Sequence, residues 1–217
     1  MNRARHCRVL GFCAAAALAL GACSKPAPPP ATENQPSVKA PAVTPPTPAT
    51  AASPQEKADA DALGTLEARI KEYLVLHQKL EDSLPKLSKE STPIEIDKHQ
   101  RALGRLVREA RRGAQAGDIF TPESTVVIKR LMARIFGGPD GRQLRASIMD
   151  ENPGDLKLEI NGRYPDTVPL STVPPQVLQG LPKVPEELEY RFIGNRLILL
   201  DVRAHVIVDI IEKALPD

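Results

Sequence analysis

Residues 188–201 read LEYRFIGNRLILLD, and this stretch decides the fold of the second half of the chain. Apolar and charged residues alternate in its first part, which predicts a strand with one buried face. Gly194-Asn195 follows as a two-residue turn signal, and residues 196–201 supply the partner strand of a β hairpin. A third run, Ala204 to Ile211, is rich in Val and Ile and predicts another strand, with a helix as the alternative.

Upstream of the hairpin, the chain again has the pattern of a strand. Leu156, Leu158 and Ile160 alternate with polar residues and predict one face of a strand, which turns at Asn161-Gly162. A short helix is expected near Pro175 to Gly180. The region 152–217 is therefore predicted to be a small, mostly antiparallel sheet that buries one face on helices.

The region before residue 152 has helical periodicity. Ser53-Pro54-Gln55-Glu56 and Thr92-Pro93-Ile94-Glu95 both have the form of a capping box with proline at the first helical position. Apolar positions spaced three and four residues apart follow each of them, and they predict an antiparallel helical hairpin over 54–116. The first seam contains Leu63, Leu66, Ile70, Tyr73, His77, Leu80 and Leu84, and the second contains Ile96, His99, Leu103, Leu106 and Ala110.

If the two helices fold back on each other with residue 88 at the centre of the connection, His77 lies opposite His99. Glu81 lies one turn after His77, so the three residues suggest a metal-binding or pH-responsive module. The alternative is structural: two partly buried imidazoles that satisfy each other or bond to carbonyl groups or water. Two histidines and one acid are few ligands for a metal, and no cysteine lies in this region.

Two further helices are predicted at 122–136 and 140–150, which completes a helical region over 54–151. The predicted fold class is α+β, with helices first and a small sheet after them.

Catalytic motifs are absent from the sequence of the sheet region. His205 lies close in sequence to Asp201 and Asp209, and three acids, Glu186, Glu187 and Glu189, precede the hairpin. These residues suggest a small periplasmic hydrolase as one alternative, whereas turn and edge positions explain them equally without catalysis. Ser171 is expected to cap the short helix. No catalytic residue, metal ligand or cofactor-binding residue is assigned.

The N-terminus has the three parts of an export signal. Residues 1–8 are basic, and residues 9–20 form an apolar run that is too short to span a bilayer permanently. Leu20-Gly21-Ala22-Cys23 follows, and it resembles the lipobox of bacterial lipoproteins. The resemblance implies cleavage between Ala22 and Cys23 and a diacylglycerol thioether and an N-acyl chain on Cys23, with no other cofactor.

Residues 23–53 form a tether after the predicted cleavage site. Nine prolines lie among Ala and Thr between Ser24 and Ser53. Such a segment stays extended and solvated, and thirty residues of polyproline-like chain reach about 90 Å at most. The resemblance to lipoproteins also implies a location: in the enterobacterial pattern an Asp after the cysteine retains the protein in the inner membrane, so Ser24 favours the outer membrane, with the body facing the periplasm.

Removal of residues 1–22 changes the charge of the protein. The chain has 29 Lys and Arg residues, of which Arg3, Arg5 and Arg8 leave with the signal, so 26 remain against 27 acids. This balance gives no support for nucleic-acid binding. Cys7 and Cys13 leave as well, so the body must fold without disulfides.

One basic surface remains in the mature chain. Arginines at 101, 105, 108 and 112 form a stripe beside the seam of the second helix. The stripe is expected to be solvated and paired with acids such as Glu67, Glu72 and Glu109, with an anionic partner as the alternative. The sequence thus predicts a membrane-anchored envelope lipoprotein, with a non-catalytic body that binds an envelope protein or cell-wall polymer.

Overall fold

Helices come first and a sheet follows in the part of the chain that the structure describes, residues 53–151, 156–169 and 171–216. The structure is a computed structural model. The helices are α1 (Pro54–Glu81), α2 (Pro93–Ala110), α3 (Pro122–Phe136), α4 (Gly141–Glu151) and α5 (Pro175–Gly180), and the strands are β1 (Leu188–Ile193), β2 (Arg196–Asp201) and β3 (Val206–Ile211). The predicted α+β class is confirmed. The predicted signal and all but the last residue of the tether lie outside the described residues.

Local capping sets the starts of the long helices. The Ser53 hydroxyl accepts a hydrogen bond from the Glu56 amide at 3.2 Å, and the Glu56 carboxylate accepts one from the Ser53 amide at 2.6 Å. Thr92 and Glu95 repeat the arrangement at the start of α2. Both predicted capping boxes are therefore confirmed, because the bonds that define them lie within four residues of chain.

Helices α1 and α2 contact each other, but only part of the apolar face predicted for α2 is buried. Leu103, Gly104 and Val107 are the buried residues of α2, whereas Ile96 is 49% exposed and Ala110 is exposed. The reason is that α2 also packs against the sheet, so its buried face is shared between α1 and β3. The prediction considered only the packing of α1 against α2 and therefore left out the contact of α2 with β3.

The sheet has the order β1-β2-β3, and both strand pairs are antiparallel. The turn at Gly194-Asn195 joins β1 to β2 as predicted, and the paired residues run from Leu188 with Asp201 to Ile193 with Arg196. The register between β2 and β3 shifts between Leu199 and Leu200. The predicted third strand is thereby confirmed, and the helical alternative is not adopted.

Both faces of the sheet are buried, although burial of only one was predicted. One face shares a core with the helices, and this core includes Leu66, Leu103, Ile128, Phe192 and Val208. The other face is covered by the chain between 156 and 168, in a cluster with Tyr164, Val168, Ile193, Ile198 and Ile207. The helices and the sheet are therefore held together by a common apolar core.

The predicted strand at 156–160 does not form. Residues 156–159 have no regular secondary structure, and pairing with β3 begins only later, with backbone hydrogen bonds of Asn161 and Gly162 to Ile207 and an isolated bridge between Arg163 and Val206. Leu156, Leu158 and Ile160 are instead partly buried against the outer face of the sheet. Their alternation with polar residues reflects the packing of a loop against the sheet. The spacing of apolar residues in a sequence does not distinguish such a loop from a strand.

Ser171 also differs from its predicted role. Its hydroxyl accepts a hydrogen bond from the Phe192 amide at 3.0 Å and donates one to the Phe192 carbonyl. Helix α5 begins at Pro175 without a side-chain cap. Ser171 therefore satisfies the outer edge of β1 rather than the end of a helix.

Candidate functional site

A buried polar cluster joins α1 to the end of β2. Asp201 is the last residue of β2, and its Oδ2 atom lies 2.5 Å from the Tyr73 hydroxyl and 2.6 Å from Nδ1 of His77. Its Oδ1 atom accepts a hydrogen bond of 2.7 Å from the Ala204 amide. All three side chains in the cluster are buried. Tyr73 and His77 reach the same carboxylate because they are one helical turn apart on the buried face of α1.

The cluster continues to the surface through ion pairs. Nε2 of His77 lies 3.4 Å from the Glu81 carboxylate, close enough for an ion pair, but it has no hydrogen-bond partner in the described residues. Arg203, in the turn after β2, lies 3.2 Å from Glu81 and 2.6 Å from Glu186. A line of alternating charges therefore connects buried Asp201 to solvent.

The surroundings shift the pKa values of both partners of Asp201. Burial lowers the pKa of His77, but the hydrogen bond and the negative charges of Asp201 and Glu81 outweigh burial and raise it above its ordinary value. Burial, together with the charge of Asp201, raises the pKa of Tyr73 well above its ordinary value. Tyr73 is therefore a neutral donor, and the protonated form of His77 is favoured.

The buried position of the cluster limits its chemistry. His77 is 1% exposed and Tyr73 is 4% exposed, so very little of either side chain is open to a substrate. A general base must come within hydrogen-bond reach of the proton that it removes. In this arrangement the His77–Asp201 pair links two structural elements, and Asp201 takes up Nδ1 of the imidazole.

His99 is not the partner that satisfies His77. It lies half-buried in a surface cleft with Glu81, Asp82 and Arg203, while Asp201 takes the position that the seam assigned to His99. Among the described residues, no three His, Cys, Asp or Glu side chains converge to hold a metal ion. The sequence analysis grouped Asp201 with His205, whereas in the structure Asp201 bonds to His77 and Tyr73 of α1.

His205 is separated from the acids that the hydrolase hypothesis grouped with it. Its Nε2 atom lies 3.3 Å from Asp166, and its ring meets the Tyr164 ring edge-on at 5.6 Å. Burial, with the charge of nearby Arg163, lowers the pKa of His205. Its backbone has a positive φ of 55°, so it is a turn residue as well.

Asp209 binds backbone amides. Its carboxylate accepts hydrogen bonds from the amides of Ile119 and Phe120 at 2.9 Å, from Gly117 at 3.3 Å and from Ile210 at 2.8 Å. Burial raises the pKa of Asp209 in spite of these hydrogen bonds, which lower it. The residue holds the loop between α2 and α3 on the sheet.

The three glutamates before the hairpin form ion pairs with arginines. Glu186 and Glu187 lie near Arg203, and Glu189 pairs with Arg191 on the same strand. The acids of the hydrolase hypothesis are thus distributed over separate contacts, and the structure does not assemble them around His205.

A small basic cavity lies between α2 and the turn that joins β2 to β3. Its volume is about 110 Å³, and it is lined by Arg101, Arg105, Arg108 and Arg163 with Gly104, Ala204 and Val206. Three arginines of the predicted stripe are therefore gathered at one concave site, together with a fourth from the loop. Arg112 lies apart and pairs with Glu109. Glu67 and Glu72, which were expected to pair with the stripe, pair with Lys71 and Arg69.

Comparison with known proteins adds no relative to these findings: no family model, curated protein or solved structure matches the chain. No helix in the described residues has both the length and the apolar character needed to cross a membrane. Cys23 lies outside the described residues.

Proposed function

We propose that this protein is a lipid-anchored bacterial envelope protein whose body is a non-catalytic binding or structural scaffold. The observation that carries the proposal is Leu20-Gly21-Ala22-Cys23 between an apolar run and a proline-rich segment. Small residues before a cysteine, at the end of a short apolar stretch, are what lipoprotein processing requires. Two or more acyl chains then provide stable anchoring, because each buried methylene contributes about 0.8 kcal/mol.

The interior of the body supports a scaffold role. The polar residues that first suggested catalysis make contacts between elements: Asp201 joins α1 to β2, and Asp209 holds the loop before α3. Their carboxylates are fully buried, as expected of groups that specify a packed arrangement. We propose that the body faces the periplasm from the outer membrane and binds an envelope protein or cell-wall polymer.

Acylation is tested by incorporation of labelled palmitate in the native bacterial host. Wild-type protein should incorporate the label and sediment with membranes, whereas Cys23→Ser should do neither. Cys13→Ser is the matched control, because Cys13 lies in the segment that is removed, and it should behave as wild type. Unlabelled wild-type protein, or label retained by Cys23→Ser, would overturn the proposal.

The scaffold role is tested by crosslinking in whole cells, followed by extraction in detergent. We expect a reproducible stoichiometric complex with one envelope component, and a protein that stays uncrosslinked and monomeric at native levels would contradict the role.

A further inference from the structure

We propose that the cavity between α2 and the turn after β2, hereafter the arginine pocket, binds a phosphate group. The proposal rests on the binding role proposed above and names the chemistry that one part of the body recognises. Arg101, Arg105 and Arg108 reach the pocket from α2, where spacings of four and three residues bring them to one side of the helix. Arg163 reaches it from the loop that borders β3.

The pocket has positive charge that the protein itself does not neutralise. Asp97 accepts two hydrogen bonds from Nε of Arg101, and Asp166 accepts one from Arg163 at 2.8 Å. Arg108 donates to the Gly104 carbonyl of its own helix, and Arg105 has no hydrogen bond or ion pair to any described residue. Two guanidinium groups therefore lack a carboxylate partner among the described residues.

A buried donor at the same site also lacks an acceptor. Nε of Arg163 is buried and has no hydrogen-bond partner in the described part of the chain. A buried charged donor without an acceptor is unfavourable, so such groups are usually satisfied by water or a ligand. Because this Nε atom is itself closed off from solvent, it adds positive charge to the wall of the pocket, and an anion there would bond to Arg105 and Arg108.

The size and shape of the pocket favour phosphate over a carboxylate. A volume of about 110 Å³ leaves room for one tetrahedral oxyanion. A planar carboxylate can be satisfied by one guanidinium in a bidentate pair. Several guanidiniums around one point match the oxygens of a phosphate, which face different directions.

Asp166 is a competing anion beside the pocket, because it accepts a hydrogen bond from Arg163. Asp166 also lies 3.9 Å from Arg101 and 3.3 Å from His205, so it already contacts three cationic or titratable groups. Its side chain is 56% exposed and can move aside or share these partners. Asp166 and a bound phosphate would compete for the same arginines. We therefore expect stronger phosphate binding in Asp166→Asn, which removes the competing charge and keeps the shape of the side chain.

The floor of the pocket depends on Gly104. A Cβ atom at this position would lie 2.5 Å from the Ala204 carbonyl oxygen. The absence of a side chain lets α2 approach the turn closely, and this approach sets the arginines of α2 beside Arg163.

The test is isothermal titration of the full mature chain in detergent with inorganic phosphate, at constant ionic strength in sodium chloride. Wild type should bind saturably, Arg105→Gln should bind at least tenfold more weakly, and Arg105→Gln/Arg108→Gln should not bind. Arg112→Gln is the matched control in the turn directly after α2, outside the pocket, and should bind as wild type. Arg105→Gln removes no contact within the described residues, so it keeps the test valid if the double variant fails to fold.

Two further titrations distinguish the source of the phosphate. Tighter binding of dihexanoylphosphatidylglycerol than of inorganic phosphate identifies a lipid headgroup, and the reverse order identifies a soluble phosphate. No saturable binding of either probe to wild type, or equal loss in Arg105→Gln and Arg112→Gln, would overturn the pocket. That failure leaves palmitate labelling of Cys23 unaffected, so it is separable from failure of the anchor.

Discussion

Nδ1 of His77 lies 2.6 Å from Oδ2 of Asp201, and the two residues are 124 positions apart in the chain. This pair connects the first helix to the end of the central strand inside the core. The Tyr73 hydroxyl donates to the same oxygen atom, so a single carboxylate orients two side chains of α1. The cluster makes the position of α1 on the sheet dependent on one acid.

Removal of the Tyr73 hydroxyl should destabilise the protein more than removal of another buried tyrosine hydroxyl. Tyr73→Phe removes a bond to a carboxylate, which contributes about 1.5–3 kcal/mol. The matched control is Tyr190→Phe, whose hydroxyl donates to the Pro182 carbonyl at 3.1 Å, a neutral acceptor worth about 0.5–1.5 kcal/mol. Urea unfolding measures both. A Tyr73→Phe loss equal to or smaller than the Tyr190→Phe loss would contradict this role.

His77 should make the stability depend on pH near neutrality. Because its pKa is raised in the folded state, its contribution is fully present below the unfolded pKa of about 6.5 and is lost as the pH rises through the higher folded value. Wild type should therefore lose free energy of unfolding relative to His77→Gln as the pH increases above about 6.5. Urea unfolding of both proteins from about pH 5.5 to about pH 8.5 gives the comparison.

The free energy of unfolding must be compared between wild type and His77→Gln at each pH, because His205 changes the stability with pH in the opposite direction. Burial lowers the pKa of His205, so its contribution is lost as the pH falls. Subtracting the His77→Gln curve removes this effect. A difference curve that is flat, or that rises with pH, would be inconsistent with the surroundings described for His77.

Gly104→Ala should destabilise the protein, although alanine is the better helix former. Its Cβ would meet the Ala204 carbonyl at 2.5 Å, and overpacking against backbone costs about 1–3 kcal/mol. Gly64→Ala is the matched control in α1, where nothing lies within 4 Å of the new atom, and it should stabilise by about 1 kcal/mol. Thermal unfolding separates the two. If both substitutions stabilise, α2 does not approach the turn as closely as described.

Asp209→Ala should loosen the loop between α2 and α3. It leaves the buried amides of Ile119 and Phe120 without an acceptor, and we expect a loss of at least about 3 kcal/mol. Hydrogen exchange should accelerate most at these two amides. Asp118→Ala is the control, because Asp118 is exposed and bonds only to the nearby Gln115 amide. If the amides of Ile119 and Phe120 remain equally protected from hydrogen exchange in Asp209→Ala, Asp209 does not hold this loop on the sheet.

Features set by local chemistry were predictable from the sequence. The starts of α1, α2 and α3 follow Ser53, Thr92 and Thr121, because a hydroxyl before proline satisfies the first amides of a helix. The turn at Gly194-Asn195 likewise determines the register of β1 against β2.

Features set by distant partners were not predictable. The buried face of α2 was predicted from the spacing of its apolar residues. That spacing gives no sign that Gly104, which has no apolar side chain, packs against the turn after β2. The pairing of His77 with Asp201 depends on where α1 meets the sheet, and no local pattern contains this information. The spacing of Arg101, Arg105 and Arg108 in the sequence predicts that they share one side of a helix. Arg163 lies far from them in the chain, and only the fold brings it to the same cavity.

Mass spectrometry of the N-terminal peptide of the mature protein tests the central claim most directly. We expect Cys23 to be the first residue and to carry a diacylglycerol thioether and an N-acyl chain. An unmodified Cys23, or a mature N-terminus at any other residue, would contradict it.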